Sequence, residues 1–166
     1  MPNWIIHMKW ALKAEIPERI AEFVNRSIDY GSNWLNTSNQ QPQKDSKGSE
    51  NEEDSEFDEE DTSGLHDEGE QESTFYRQLT FFYERDAAQK NYVKACFLHH
   101  LLDYFRETYV DLSNLELVFQ KFIQDKAVIE IYDAQRNKIN FMNVLSELFQ
   151  LLRDNKSALY KDLRGE

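Results

Sequence analysis

Nineteen residues, Tyr92 to Val110 (YVKACFLHHLLDYFRETYV), constrain the fold more than any other stretch of the chain. At about 100° per residue, Val93, Phe97, Leu98, Leu101, Leu102, Tyr104, Phe105 and Tyr109 spread over roughly half of a helix circumference. Such a helix belongs in a core, and an all-α bundle of five to seven helices is the architecture that can cover it. His99, His100, Asp103 and Glu107 share the remaining arc, Asp103 one turn after His99 and Glu107 one turn after Asp103. This arc is the best lead to function. It reads in three ways: a solvent-facing stripe, a divalent-metal site, or a polar network within the core.

Other segments supply the partners that the core helix needs. Ile5 to Ala14 reads as a first helix, with Lys9 and Lys13 on one side and Trp4, Met8, Trp10, Ala11 and Ala14 around the other. His7 falls among the apolar positions and so points inward. Pro17 suits the first turn of a second helix, where Ile20, Phe23, Val24 and Ile28 mark a buried stripe and Gly31 a stop. Arg19, Glu22 and Arg26 fall on its other faces.

Phe75 to Arg85 (FYRQLTFFYER) reads as a third helix. Its aromatics could stack on bases, but a stacking platform comes with a basic groove, and only Arg77 and Arg85 are at hand. Core packing is the better reading. Ser113-Asn114-Leu115-Glu116 forms a capping box, in which hydroxyl and carboxylate each satisfy a free backbone N–H, and a helix then runs to about Asp125. From Ala127 the β-branched Val128, Ile129 and Ile131 leave a small β element near residues 127 to 141 in competition with a continued helix. Ile139 to Leu152 reads as the last long helix, followed by a frayed tail from Asp154.

Charge divides the chain. Between Thr37 and Thr74 there are fourteen acidic residues against two lysines, which leaves seventeen of each sign elsewhere. Residues 38–64 therefore read as a disordered, low-complexity acidic insert within a single helical domain, since Phe57 is the one large aromatic available there to offset chain entropy. The insert is either a solubilising loop or, through Glu50 to Asp61, a docking tract for a basic protein partner. Direct nucleic-acid binding is disfavoured by the same charge. With one cysteine, Cys96, no intramolecular disulfide can form, and a cytoplasmic or nuclear setting is the default. No apolar run of about 18 residues occurs, so no membrane span is expected. Five glycines without a phosphate-cradling loop argue against a nucleotide-binding α/β fold.

All four histidines sit near other groups that could complete a metal site: His7, His66 in the doublet His66-Asp67, and His99 and His100 ahead of Asp103. Imidazole and carboxylate are the usual ligands of zinc, manganese and iron, and two ligands four apart on one helix face can hold one ion. The order His7, then His66-Asp67-Glu68-Gly69, then Asp103 resembles the ligand order of the HD phosphohydrolases. Trp4 near the N-terminus, with His99 and Asp103 spaced HxxxD in an apolar helix, is similar instead to the zinc-dependent phospholipase C and S1/P1-type nuclease group. Both resemblances imply a helical, metal-dependent phosphoester hydrolase, with a metal-bound water as nucleophile and Lys9, Arg77 or Arg106 to neutralise phosphate. Four histidines cannot supply three zinc ions, so one metal, or two with many carboxylates, is the expectation. The alternative function is a non-enzymatic module that docks a basic partner through the insert.

Overall fold

The computed structural model describes residues 4–30, 72–85, 90–107, 114–126, 132–133 and 135–165. They form seven helices: α1 (Trp4–Lys13), α2 (Glu18–Tyr30), α3 (Glu72–Arg85), α4 (Asn91–Glu107), α5 (Leu115–Asp125), α6 (Met142–Asp154) and α7 (Lys156–Arg164). The all-α bundle is as expected. Residues 38–64, with the docking tract Glu50–Asp61 and the doublet His66-Asp67, lie outside the described residues. Among those described, no helix is long and apolar enough to cross a membrane.

α4 is the hub, packing against α1, α2, α3, α5 and α6. Neighbours on so many sides bury nearly its whole circumference, from Val93, Cys96 and Phe97 to Leu101, Leu102 and Phe105. Each large apolar side chain withdrawn from water contributes about 1.5–3 kcal/mol. Aromatic contacts extend the core outward: Phe97 meets Phe141 edge-on at 5.3 Å, and Phe119 of α5 stacks on Phe149 of α6 at 4.2 Å. Phe75, Leu79 and Phe82 of α3 are buried in this core, as the packing reading of that aromatic segment requires.

α1 ends in a Schellman motif: the Ile16 N–H donates to the Ala11 carbonyl and the Glu15 N–H to that of Leu12, both at 3.0 Å. The left-handed position (φ +61°), normally glycine, is filled by Glu15. Lys94 of α4 completes this end by donating to the Ala14 carbonyl at 2.7 Å, while its Nζ also reaches Glu147 of α6 at 2.5 Å. Pro17 then accepts the first bond of α2, from the Ala21 N–H.

The structure corrects two expectations and bears on one alternative left open. The cap of α5 is Asn114, whose Oδ1 accepts from the Leu117 N–H, rather than Ser113, and Glu116 is drawn away from the helix start by a bidentate pair with Arg153 of α6. Of the region 127–141, Val128, Ile129 and Ile131 lie outside the described residues; among those described there is no strand, and an isolated antiparallel bridge joins Tyr132 to Lys138 around a turn in which Asp133 Oδ1 accepts from the N–H groups of Gln135 and Asn137. The tail after Asp154 is not frayed but forms α7, closed by Gly165 in the left-handed conformation. Leu159 is fully buried, and Asp162 accepts from Trp10 Nε1 at 2.9 Å and from Lys9 Nζ at 2.8 Å.

Candidate metal centre

Three helices meet at one polar point inside this apolar packing. α1 brings His7 on its buried face, beside Trp10 and Ala11. α4 brings His99 and, one turn on, Asp103. α2 brings Asn25 and, one turn on, Asp29. The solvent-facing reading of the α4 arc is overturned, because His99 and His100 are only 1% and 5% exposed; His7 on α1, at 3%, is buried as expected. A helical wheel places these histidines away from the most apolar side of α4, but other helices cover that side too.

The His7 and His99 rings stack at 4.2 Å, nearly parallel. His7 Nε2 is 3.1 Å from Asp103 Oδ1, and His99 Nε2 is 3.3 Å from both Asp103 Oδ2 and Asp29 Oδ1. None of these contacts is aligned as a hydrogen bond: both nitrogens of His7 and Nε2 of His99 are buried without a hydrogen-bond partner. The other nitrogen of His99 is well served, since Nδ1–H donates to Asn25 Oδ1 at 2.8 Å, and Asn25 Nδ2 faces Met8 Sδ at 3.5 Å. That bond sets the tautomer and leaves Nε2 of His99, when neutral, as a bare acceptor facing His7 and the carboxylates.

Electrostatics pull the members apart. Burial lowers the pKa of His7, and the positive field of His99 adds to this against the attraction of Asp103. Burial also works against protonation of His99, but Asp103 and Asp29 together outweigh it and push its pKa up to about 9. Asp103, which burial alone would raise, is held far below the usual carboxylate range by His7 and His99. In the metal-free protein at neutral pH, His99 is therefore an imidazolium, His7 neutral and Asp103 ionised.

His7, His99 and Asp103 offer ligand atoms that all lie within 4.8 Å of one another, and the group could hold a metal ion. Ligands roughly 2.0–2.2 Å from a tetrahedral zinc are separated from one another by about 3.3–3.6 Å; His7 Nε2 lies 3.1 Å from Asp103 Oδ1 and His99 Nε2 3.3 Å from Asp103 Oδ2, and one of the two parallel rings would turn to aim its nitrogen at a shared ion. Leaving a buried nitrogen of neutral His7 without a hydrogen bond costs about 1–3 kcal/mol, a cost that coordination would remove.

Of the residues singled out from sequence, His7, His99 and Asp103 come together. His100 turns away from them: its Nε2 hydrogen-bonds Gln78 Oε1 of α3 and its ring meets Phe75 edge-on at 4.9 Å. Burial and the neighbouring charges of His99 and Lys126 hold its pKa well below the ordinary value, so it is a neutral core histidine. Lys9 is engaged by Asp162 on the α7 side. Asn25 and Asp29 were not singled out; their signal is the same i to i+4 spacing as His99 and Asp103, with Asn25 between the buried Val24 and Ile28. Comparisons with protein-family models, with curated proteins and with solved structures give no match to this chain, so the reading of this centre stands on its geometry.

Proposed function

We propose that this protein binds one divalent metal ion at His7, His99 and Asp103 and uses it to hydrolyse phosphoesters. The observation that carries the reading is the set of buried imidazole nitrogens without hydrogen-bond partners, facing a carboxylate at metal-ligand spacing. Two imidazoles and one carboxylate leave further coordination positions for water and substrate. A bound zinc, manganese or iron ion would supply hydroxide near neutral pH by lowering the pKa of its water. The chain's own part is to position and to exclude. Asn25 fixes His99 from behind, the stacked rings close off the interior, and Asp29 and Asp103, with side chains 22% and 20% exposed, form the side open to solvent. The choice of phosphoesters rests on two partial resemblances, the order His7, His66-Asp67, Asp103 to the HD phosphohydrolases and Trp4 with His99 and Asp103 to the zinc-dependent phospholipase C and S1/P1-type nuclease group.

The test is elemental analysis of protein purified without a histidine tag or chelator, followed by assay on p-nitrophenyl phosphate and its bis-ester. About one equivalent of zinc, manganese or iron, lost in His7→Ala and Asp103→Ala, with metal-dependent turnover, is the expected result. Metal without turnover would confine the site to a structural role. Failure to bind any of the three ions on titration would remove the reading, and the acidic tract Glu50–Asp61 docking a basic partner would become the leading function.

A further inference from the structure

Both i to i+4 pairs at the crossing of α2 and α4 face the same ring. His99 Nδ1 is occupied by Asn25 Oδ1, so the position behind the ligating histidine is already filled. Asp29 lies on the opposite edge, 3.3 Å from Nε2 and as far from it as Asp103. A carboxylate that merely oriented His99 would sit at Nδ1, whereas one at Nε2 is on the side where an ion would bind. Nε2 is buried with its residue 1% exposed, and its contacts with both acids lack hydrogen-bond alignment; in the metal-free protein they are charge contacts to the imidazolium, which an ion taking the place of the proton would convert to ligation. Charge points the same way: two carboxylates and two neutral imidazoles balance one dication.

We infer that Asp29 is a fourth protein ligand, that Asn25 is the positioning residue which presents His99 Nε2, and that the site takes a first-row divalent transition ion rather than magnesium or calcium. This rests on the metal reading above and extends it to two imidazoles and two carboxylates drawn from three helices, a set that leaves room for water and substrate in a five- or six-coordinate sphere and closes a tetrahedral one. Two nitrogen donors disfavour magnesium and calcium, which prefer all-oxygen spheres. The set His7, His99 and Asp103 holds no thiol, Cys96 lying buried elsewhere on α4, so nothing thiophilic is selected; Asp29 lies outside that set and meets the site through His99 Nε2 alone. The partly exposed carboxylates place the entry path beside Asp29 and Asp103, with the imidazoles at its closed end.

The test titrates the full chain with Co²⁺, read by visible absorption and calorimetry, with Mg²⁺ and Ca²⁺ as competitors. Co²⁺ is expected to bind the wild type and resist both competitors. Asp29→Asn should weaken it at least about ten-fold and change the shape of the absorption bands, while Asn25→Ala should weaken it by about 10–100-fold with the band shape kept. Asp29→Ser serves if the first variant is not helical by circular dichroism. A wild type that binds Co²⁺ beside an Asp29 variant with unchanged affinity and bands would overturn the fourth ligand and leave the three-residue site standing. Displacement of Co²⁺ by equimolar Mg²⁺ or Ca²⁺ would overturn the assigned ion class. A folded wild type that binds no Co²⁺ would remove the metal reading and this inference together.

Discussion

Raising the pH of the metal-free protein should weaken it, and the effect should belong to one residue. His99 carries a pKa pushed from 6.5 to about 9 by Asp103 and Asp29, against the opposing pull of complete burial. A group protonated more tightly in the folded than in the unfolded chain stabilises the fold fully below its unfolded pKa, and that contribution disappears as pH rises through the folded value. The window is therefore pH 6.5 to about 9, and the size is about 3 kcal/mol at 1.36 kcal/mol per pKa unit. His7 and His100 are shifted the other way, chiefly by burial, so their contributions are complete above pH 6.5 and fade only below it. They do not cancel the loss. Urea unfolding followed by far-ultraviolet circular dichroism, with chelator present, at pH 6.5, 8 and 9.5 would measure it, and His99→Gln provides the baseline for other titrating groups. The wild type should lose about 3 kcal/mol more across this range than the variant. Equal slopes, or a wild type that gains stability with pH, would refute the charge state assigned to the centre.

Further consequences follow from particular contacts. His100→Gln should leave metal stoichiometry unchanged where His7→Ala abolishes it, because His100 faces Gln78 and Phe75 instead of the cluster; elemental analysis of the two variants decides this. Glu15→Gly should stabilise the protein by about 0.5–1 kcal/mol, since Glu15 holds a left-handed conformation (φ +61°) that glycine adopts without steric cost; a thermal melt shows the sign. Leu159→Ala should cost about 2–5 kcal/mol, as expected for a fully buried leucine. A loss below 0.5 kcal/mol, the range of an ordinary surface substitution, would mean that α7 does not pack on the core.

What could be read from the sequence, and what could not, divides along a physical line. Apolar periodicity marked α4, the cores of α1 to α3 and most of α6, because those helices are amphipathic or wholly buried in their own residues. α7 was missed because its support is remote: Ala158, Leu159 and Leu163 make a thin apolar stripe, and its anchor is the contact of Asp162 with Trp10 and Lys9, some 150 residues away in the chain. The start of α5 fell one residue out because Asn114 and Ser113 are both good caps, and Glu116 had a stronger partner in Arg153. At the centre, His7, His99 and Asp103 were visible as an inward histidine and an i to i+4 pair. Asn25 and Asp29 were not, because nothing in a single helix tells whether a polar residue at the edge of a buried stripe meets solvent or another polar residue across a helix crossing.

The position of the centre gives it an influence beyond its own ligands. His99 and Asp103 belong to the helix that five others pack on, and His7 and Asp29 to two of those five. Without an ion, the crossing holds an imidazolium between two carboxylates and a neutral imidazole with both nitrogens unpartnered, an arrangement whose members are buried but incompletely satisfied. An ion would replace the proton on His99, satisfy Nε2 of His7 and join α1, α2 and α4 at a single point. Binding of this kind favours the folded chain alone, by about 2.7 kcal/mol when the free ion is present at a hundred times its dissociation constant. On the proposed reading, the proton and the metal would compete for the same nitrogen. Near neutral pH the imidazolium of His99 supports the metal-free fold, and pH rising toward about 9 would weaken that fold while freeing the nitrogen that a bound ion would use.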